Sequence, residues 1–284
     1  MQNKIYKSDV TDSEWSIVGP LIPEPKTNGR HATIPRRRLL DAMFYVTKTG
    51  CGWEWLPHDF PNWKTVYHYF RLWRLIGLWQ QIHDLLRAAV RKALGRNVQP
   101  SAAIIDSQSV KTTYVGGPER GFDGGKKVNG RKRHLVSDTQ GLVLLAKVHA
   151  ASIVDRDGAP LVLADMPTRY PLVRKMWTDS IYNGSFRTWV AEHLPDCDVE
   201  IVKHWWTGKS GFWVGPGQEP PAIPKGFQIL PRRWVIERTF AWLDQYRRLS
   251  KDYERLPATS ETFIYTAMSR LMLRRLARLT ALRK

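Results

Sequence analysis

The chain has 284 residues, with 44 Lys+Arg against 26 Asp+Glu, and a formal net charge of +18. A hydrophobic share of 43% and a charged share of 25% are those of a globular protein and exclude an intrinsically disordered one. No apolar run approaches the roughly 20 residues of a membrane span, the opening residues lack the apolar stretch of a secretion signal, and Cys51 and Cys197 are too few for a disulfide scaffold. The expectation is a cytoplasmic protein with no membrane partner. The basic excess lies in residues 1–100 and 231–284, while residues 101–230 are nearly balanced. Arginine dominates the C-terminal excess, and its planar fork suits phosphate, so a polyanionic partner is expected.

Thr11 offers a helix cap before Asp12 and Glu14, and Trp15, Ile17, Val18, Leu21 and Ile22 supply an apolar face that ends near Pro23. Pro35 opens a second helix, with Leu39, Leu40, Met43, Phe44 and Val46 at helical spacing and Gly50 as its stop. Asn62 caps a third over residues 63–76, with Val66, Tyr67, Phe70, Trp73 and Leu75 largely inward. Gly77 separates it from a fourth over 79–94. Residues 1–97 therefore read as a small all-helical domain that ends at a hinge over 95–100.

Beyond the hinge the period changes. Residues 102–106 form an apolar, strand-type run that ends in Asp106, and Asn129-Gly130 is a tight-turn dipeptide. Residues 134–137 and 142–149 read as two strands of a hairpin. A helix over 155–163 follows, then a strand over 172–178 that runs into Asp179, a helix over 186–193 and a strand over 199–202. A Gly/Pro-rich loop over 207–231 precedes helices at 234–248 and 261–279. This order predicts an α/β fold in which helices flank a mixed sheet, residues 98–284 making the second domain.

Asp106 and Asp179 each stand where an apolar strand run ends. If those strands are neighbours, the two carboxylates share one edge of the sheet and repel unless a cation lies between them. Mg²⁺ or Mn²⁺ suits such an oxygen donor set. Glu237, on the helix after the long loop, is the third acid in order, and Glu254 is its rival.

Four segments, AIIDSQSVKTT, GGKKVNGRKRHLVSDTQGLVL, MWTDSIYNG and RRWVIERTFAWLDQYRRLSKDYE, resemble in sequence and order the DDE transposases of bacterial insertion sequences, in the branch called the IS-five group. TDSEWSIVGPLIP and YVTKTGCGWEWLPHDFPNWKTVYHYFRLW resemble the helical domain that precedes that catalytic core. The resemblance implies an RNase H-like core with Asp106 on the first strand, Asp179 after the fourth and Glu237 on a late helix, together holding two Mg²⁺ ions that Mn²⁺ can replace. It implies cleavage of double-stranded DNA at terminal inverted repeats, joining of the 3′-hydroxyls to target DNA, assembly as at least a homodimer on DNA, and a place at the bacterial nucleoid. A nuclease that cuts without joining, or a DNA-binding protein descended from a transposase, are the alternatives. In the family's tyrosine–arginine–glutamate–lysine signature Arg233 matches, whereas Leu230 and Asp244 stand at the tyrosine and lysine positions.

Lys126, Lys127, Arg131, Lys132 and Arg133 surround the Asn129-Gly130 turn and, beside a metal site, would hold the DNA backbone. Arg233, Arg247 and Arg248 are expected to share a helix with Glu237 and to contact DNA. Lys64 and Arg71 are the outward candidates on the helix at 63–76, which reads either as core or as a recognition helix. Trp205-Trp206 is a candidate wedge for a distorted strand end.

Overall fold

The computed structural model describes residues 6–24, 33–202 and 232–281. In chain order the elements are α1 (Asp12–Val18), α2 (Arg36–Thr49), α3 (Trp63–Leu75), α4 (Leu78–Ala93), β1 (Ala102–Lys111), β2 (Gly121–Asp123), β3 (Val128–Asp138), β4 (Val143–Ala150), α5 (Asp155–Leu163), α6 (Met166–Arg169), β5 (Lys175–Thr178), α7 (Ser185–His193), β6 (Asp198–Ile201), α8 (Arg233–Asp244) and α9 (Pro257–Ala281). Trp205-Trp206, Leu230 and the loop over 207–231 lie outside the described residues.

Local signals account for the helix ends. The Thr11 hydroxyl accepts from the Glu14 amide at 3.2 Å, and the Glu14 carboxylate accepts from the Thr11 amide at 2.9 Å, which satisfies two orphan donors of α1. Asn62 caps α3 through the Lys64 amide at 3.0 Å. Gly50 closes α2 with φ +73°, and a Cβ there would meet the Arg247 backbone at 2.9 Å. Val66, Phe70 and Trp73 of α3 point inward, but Tyr67 and Leu75, expected beside them, are exposed.

The sheet runs β2-β3-β1-β5-β6, and β4 also pairs with β3. The β1/β3 and β3/β4 pairs are antiparallel; β1/β5 and β5/β6 are parallel. Helices cover both faces of this mixed sheet. Side chains alternate along β1. Ile104 therefore joins the core built with α1–α4, α8 and α9, while Ala103 and Ile105 join the opposite core with α5–α7. The N-terminal helices close no separate core: α9, from the far end of the chain, packs on α1, α2, α4 and β4.

Three expected boundaries move. β1 continues past Asp106 to Lys111, so that carboxylate is mid-strand rather than terminal. α8 stops at Asp244, and Arg247 and Arg248 fall on a separate short turn of helix, Arg247–Leu249. Asn129-Gly130 is no turn but part of β3, where Gly130 faces Lys111 of β1. A Cβ on Gly130 would lie 2.0 Å from the Val110 carbonyl oxygen, so glycine is needed there for close strand approach. The chain reverses at residues 124–127 instead, where Asp123 Oδ1 accepts from the Gly125 and Lys126 amides at 3.0 Å each. Among the described residues no helix is long and apolar enough to cross a membrane.

Candidate active site

Asp106 has the same parity on β1 as Ile104 and Gln108, and so lies on the face covered by α8. Gln108 marks that face by donating to Asp244 of α8 at 3.3 Å. β5 is the parallel neighbour of β1, with Ile104 opposite Trp177. Two residues further along each chain stand Asp106 and Asp179. Asp179 directly follows β5 and caps the turn Ser180–Tyr182, its Oδ1 accepting from the Ile181 amide at 2.9 Å. Its other oxygen is left for the site. Glu237 projects from α8 one turn after Arg233.

Arg233 ties the three acids together. Its Nη2 lies 4.0 Å from Asp106 Oδ2, 3.9 Å from Asp179 Oδ2 and 3.8 Å from Glu237 Oε1. These separations are too long for hydrogen bonds and short enough for strong attraction. One guanidinium thus faces three carboxylates, and the compensation is incomplete. Burial pushes the Asp106 carboxyl up to about 6; the Ser107 amide, donating to its Oδ1 at 2.7 Å, opposes the rise, the Asp179 charge adds to it, and Arg233 and Lys126 oppose it. Among the described residues no three His, Cys, Asp or Glu side chains already stand at metal-holding distances. The donor set nevertheless fits a hard divalent cation. It offers only carboxylate oxygens, converging on a point where a positive nitrogen stands in, with negative charge left over.

The other predicted residues divide by burial. Lys126 and Lys127 are exposed at the reversal between β2 and β3, and the Lys126 ammonium donates to the Ser107 carbonyl at 3.1 Å. Lys64, Arg71 and Arg247 are exposed as well. Arg131, Lys132 and Arg133 are not the rim of an exposed turn, and that expectation is corrected. Arg131 donates to the carbonyls of Glu254, Pro118 and Arg255 at 2.7–2.9 Å and faces Asp252 at 3.4 Å. The Lys132 ammonium lies 2.7 Å from Asp155 and donates to the Ile153 carbonyl at 2.8 Å. Arg133 donates to the Leu249 and Lys251 carbonyls. Arg131 and Lys132 have their charges paired inside the protein, Arg133 is held by the two carbonyls while its Nε finds no hydrogen-bond partner among the described residues, and β3 is covered on both faces there. Arg248 is likewise buried, paired with Glu254 at 2.6 Å and donating to the Cys51 carbonyl at 3.0 Å. That pair also engages Glu254, and the three-acid cluster forms without it.

Sequence reasoning did not single out Tyr182 and His134, whose side chains meet behind Asp179 at 2.7 Å. The available signal was weak: a tyrosine three residues past the acid, and a histidine amid basic residues.

A mixed sheet with one acid on a strand, a second just past the end of its parallel neighbour and a third on the helix lying over them is the plan of an RNase H-like core. The family described as "Transposase DDE domain" matches residues 98–272, and that described as "Putative transposase of IS4/5 family (DUF4096)" matches residues 10–83. The chain belongs to the DDE transposases, and its function is that of a DNA transposase. It is also 30% identical over 116 residues to the "Insertion element IS402 uncharacterized 16.2 kDa protein" of Burkholderia cepacia, a match covering 39% of this chain and 78% of that protein. No solved structure matches.

Proposed function

We propose that the protein cuts double-stranded DNA at the terminal inverted repeats of an insertion sequence and joins the freed 3′-hydroxyls to target DNA. The observation that carries this reading is the approach of three carboxylates, from β1, the end of β5 and α8, to one cationic nitrogen. Asp106, Asp179 and Glu237 would hold two Mg²⁺ ions, or Mn²⁺ in their place, and ions held there supply Lewis-acid activation of the entering oxygen and stabilisation of the leaving one. The protein's own groups do the rest. The acids hold the negative charge that concentrates cations at the scissile phosphate. Arg233, displaced from between them, is on the right helix to pair with a phosphate oxygen. Lys126 and Lys127, at the reversal after β2, and Arg247, after α8, extend the positive rim along the DNA backbone, which fixes position rather than sequence. Residues 1–97 are the region proposed to grip the terminal repeat, with Lys64 and Arg71 outward on α3. Synapsis of two ends calls for at least a homodimer on DNA, in the bacterial cytoplasm where the nucleoid lies.

The test uses DNA flanking the coding segment as donor and a plasmid as target. Asp106→Asn, Asp179→Asn and Glu237→Gln are each expected to abolish Mg²⁺-dependent cleavage and leave DNA binding near normal. Joined donor–target products are expected from the unmodified protein. Cleavage without joined products would mark a nuclease instead, and normal cleavage by Glu237→Gln would remove the third acid from the site.

A further inference from the structure

Behind the three acids, on the face of the sheet away from α8, lies a buried polar chain that the proposed chemistry does not use. The Tyr182 hydroxyl meets His134 Nε2 at 2.7 Å, His134 Nδ1 meets His149 Nε2 at 3.3 Å, and His149 Nδ1 meets the Ala150 carbonyl at 3.0 Å. The last contact sets the direction of all the others. A carbonyl only accepts, so His149 donates from Nδ1. With both rings neutral, its Nε2 must accept, so His134 donates from Nδ1 and accepts at Nε2, which leaves Tyr182 as the donor to His134. Neutral rings agree with the burial of both histidines, which pushes their pKa values down, that of His134 to about 3.

This chain ends on the segment that carries Asp179. Tyr182 closes the short turn capped by Asp179, and its side chain is fully buried. His134 sits on β3 directly opposite Ser107, the residue after Asp106. The Tyr182–His134 bond therefore ties the backbone that carries Asp179 to the strand that is paired with the one carrying Asp106. α5 presses on the same place: a Cβ at Gly158 would stand 2.6 Å from His149 Nε2 and 3.0 Å from His134 Nδ1, so only glycine leaves the two rings undisturbed.

We propose that Tyr182, His134 and His149 form a one-way hydrogen-bond chain that sets the position of Asp179 relative to Asp106, making them positioning residues for the divalent-cation site. The proposal rests on the reading of Asp106, Asp179 and Glu237 as cation ligands. A carboxylate held in place by a buried neighbour loses less freedom when it takes a cation, and removing such supporting partners costs about 10- to 100-fold in metal affinity.

The experiment is a Mn²⁺ titration of the full-length protein without DNA, followed by calorimetry, alongside thermal unfolding of each variant. Tyr182→Phe keeps the ring and removes only the donor; Gly158→Ala pushes on the histidine pair without touching Tyr182 or an acid. Both are expected to fold and to bind Mn²⁺ about tenfold more weakly. His149→Gln, which can accept from His134 and donate onward, is expected to stay within about threefold of the unmodified protein, whereas His149→Val is expected to behave like Tyr182→Phe. Asp106→Asn separates the two levels of the argument. If it binds Mn²⁺ as the unmodified protein does, the ligand assignment itself fails. If it loses binding while Tyr182→Phe and Gly158→Ala keep full affinity, the ligands stand and the positioning chain is overturned, even where those variants melt at lower temperature.

Discussion

Arg233 is the residue on which the local electrostatics turn. It supplies one positive charge to three acids and leaves the site short of positive charge. Removing it makes the cluster more attractive to an added cation. Arg233→Gln is expected to bind Mn²⁺ several-fold more tightly, since a charge about 4 Å away contributes on the order of 1 kcal/mol even in a watery dielectric. The same variant is expected to cut DNA more slowly, through loss of a phosphate contact. Unchanged Mn²⁺ affinity would show that the guanidinium does not compete for the site. His134 gives a second expectation at this scale. Its folded pKa lies below its ordinary value of 6.5, so the folded state holds the ring neutral and the unfolded chain takes up the proton first. Stability from this group is complete above pH 6.5 and is lost as pH falls from there towards 3. Buried carboxyls with raised pKa values, Asp106, Asp41, Glu254 and Glu261, act in the opposite sense over the upper part of that range. A comparison isolates the histidine: unfolding free energy should fall with acid more steeply in the unmodified protein than in His134→Gln, by up to about 1.4 kcal/mol per pH unit. Parallel curves would contradict this.

At the scale of the element, what was legible depended on how local the cause is. The Thr11 cap of α1, the Asn62 cap and the Gly50 stop are set by residues within a turn of one another, and they read directly from the sequence. The apolar runs before Asp106 and Asp179 mark strands correctly, because β1 is buried on both faces over residues 103–105 and β5 buries Met176 and Thr178. The basic run in β3 misled for the opposite reason. Arg131, Lys132 and Arg133 look like a solvated turn beside Asn129-Gly130. Their partners, however, are carbonyls near residues 118, 153, 249 and 254 and the carboxylates of Asp155 and Asp252, all distant in sequence. Nothing local announces that such partners will arrive. Gly130 has the local signature of a turn residue, whereas its role is to let β1 and β3 approach. Gly130→Ala is therefore expected to destabilise the fold by about 3 kcal/mol or more, seen as a large drop in Tm, because the new methyl meets the Val110 carbonyl in a pairing that cannot open without moving β1. A variant of near-normal Tm would mean that the strands separate more easily than this packing implies.

Across the whole molecule, the first helix and the last are joined. Arg270 of α9 reaches Glu14 of α1 at 2.6 Å and the Asp9 carbonyl at 2.9 Å, with both side chains buried. Glu14→Ala strands that guanidinium in the interior and is expected to cost about 3–5 kcal/mol, measurable by denaturant unfolding. Loss of less than about 1 kcal/mol would show that water enters to replace the carboxylate. The helical N-terminal region and the sheet thus share one packed core through α9, so the DNA contact proposed for α3 would bear on the same body that carries the acids. The net charge of +18 acts at this scale too, and DNA affinity is expected to fall steeply as salt rises because released counterions drive the association. A salt-independent affinity would contradict it. The resemblance in four separated segments made the fold class legible. The convergence of the acids on Arg233 was not, because it depends on the parallel pairing of β1 with β5 and on the seat of α8 over both.

The central claim is that Asp106, Asp179 and Glu237 act through direct contact with a divalent cation, and metal rescue tests it most directly. Asp106→Cys replaces a hard oxygen donor with a soft sulfur, which Mg²⁺ accepts poorly and Mn²⁺ tolerates better. Cleavage of labelled terminal DNA by this variant should be lost in Mg²⁺ and recovered in good part in Mn²⁺, while Asp106→Ala stays inactive in both. Cleavage by Asp106→Cys in Mg²⁺ at the rate of the unmodified protein would contradict the claim.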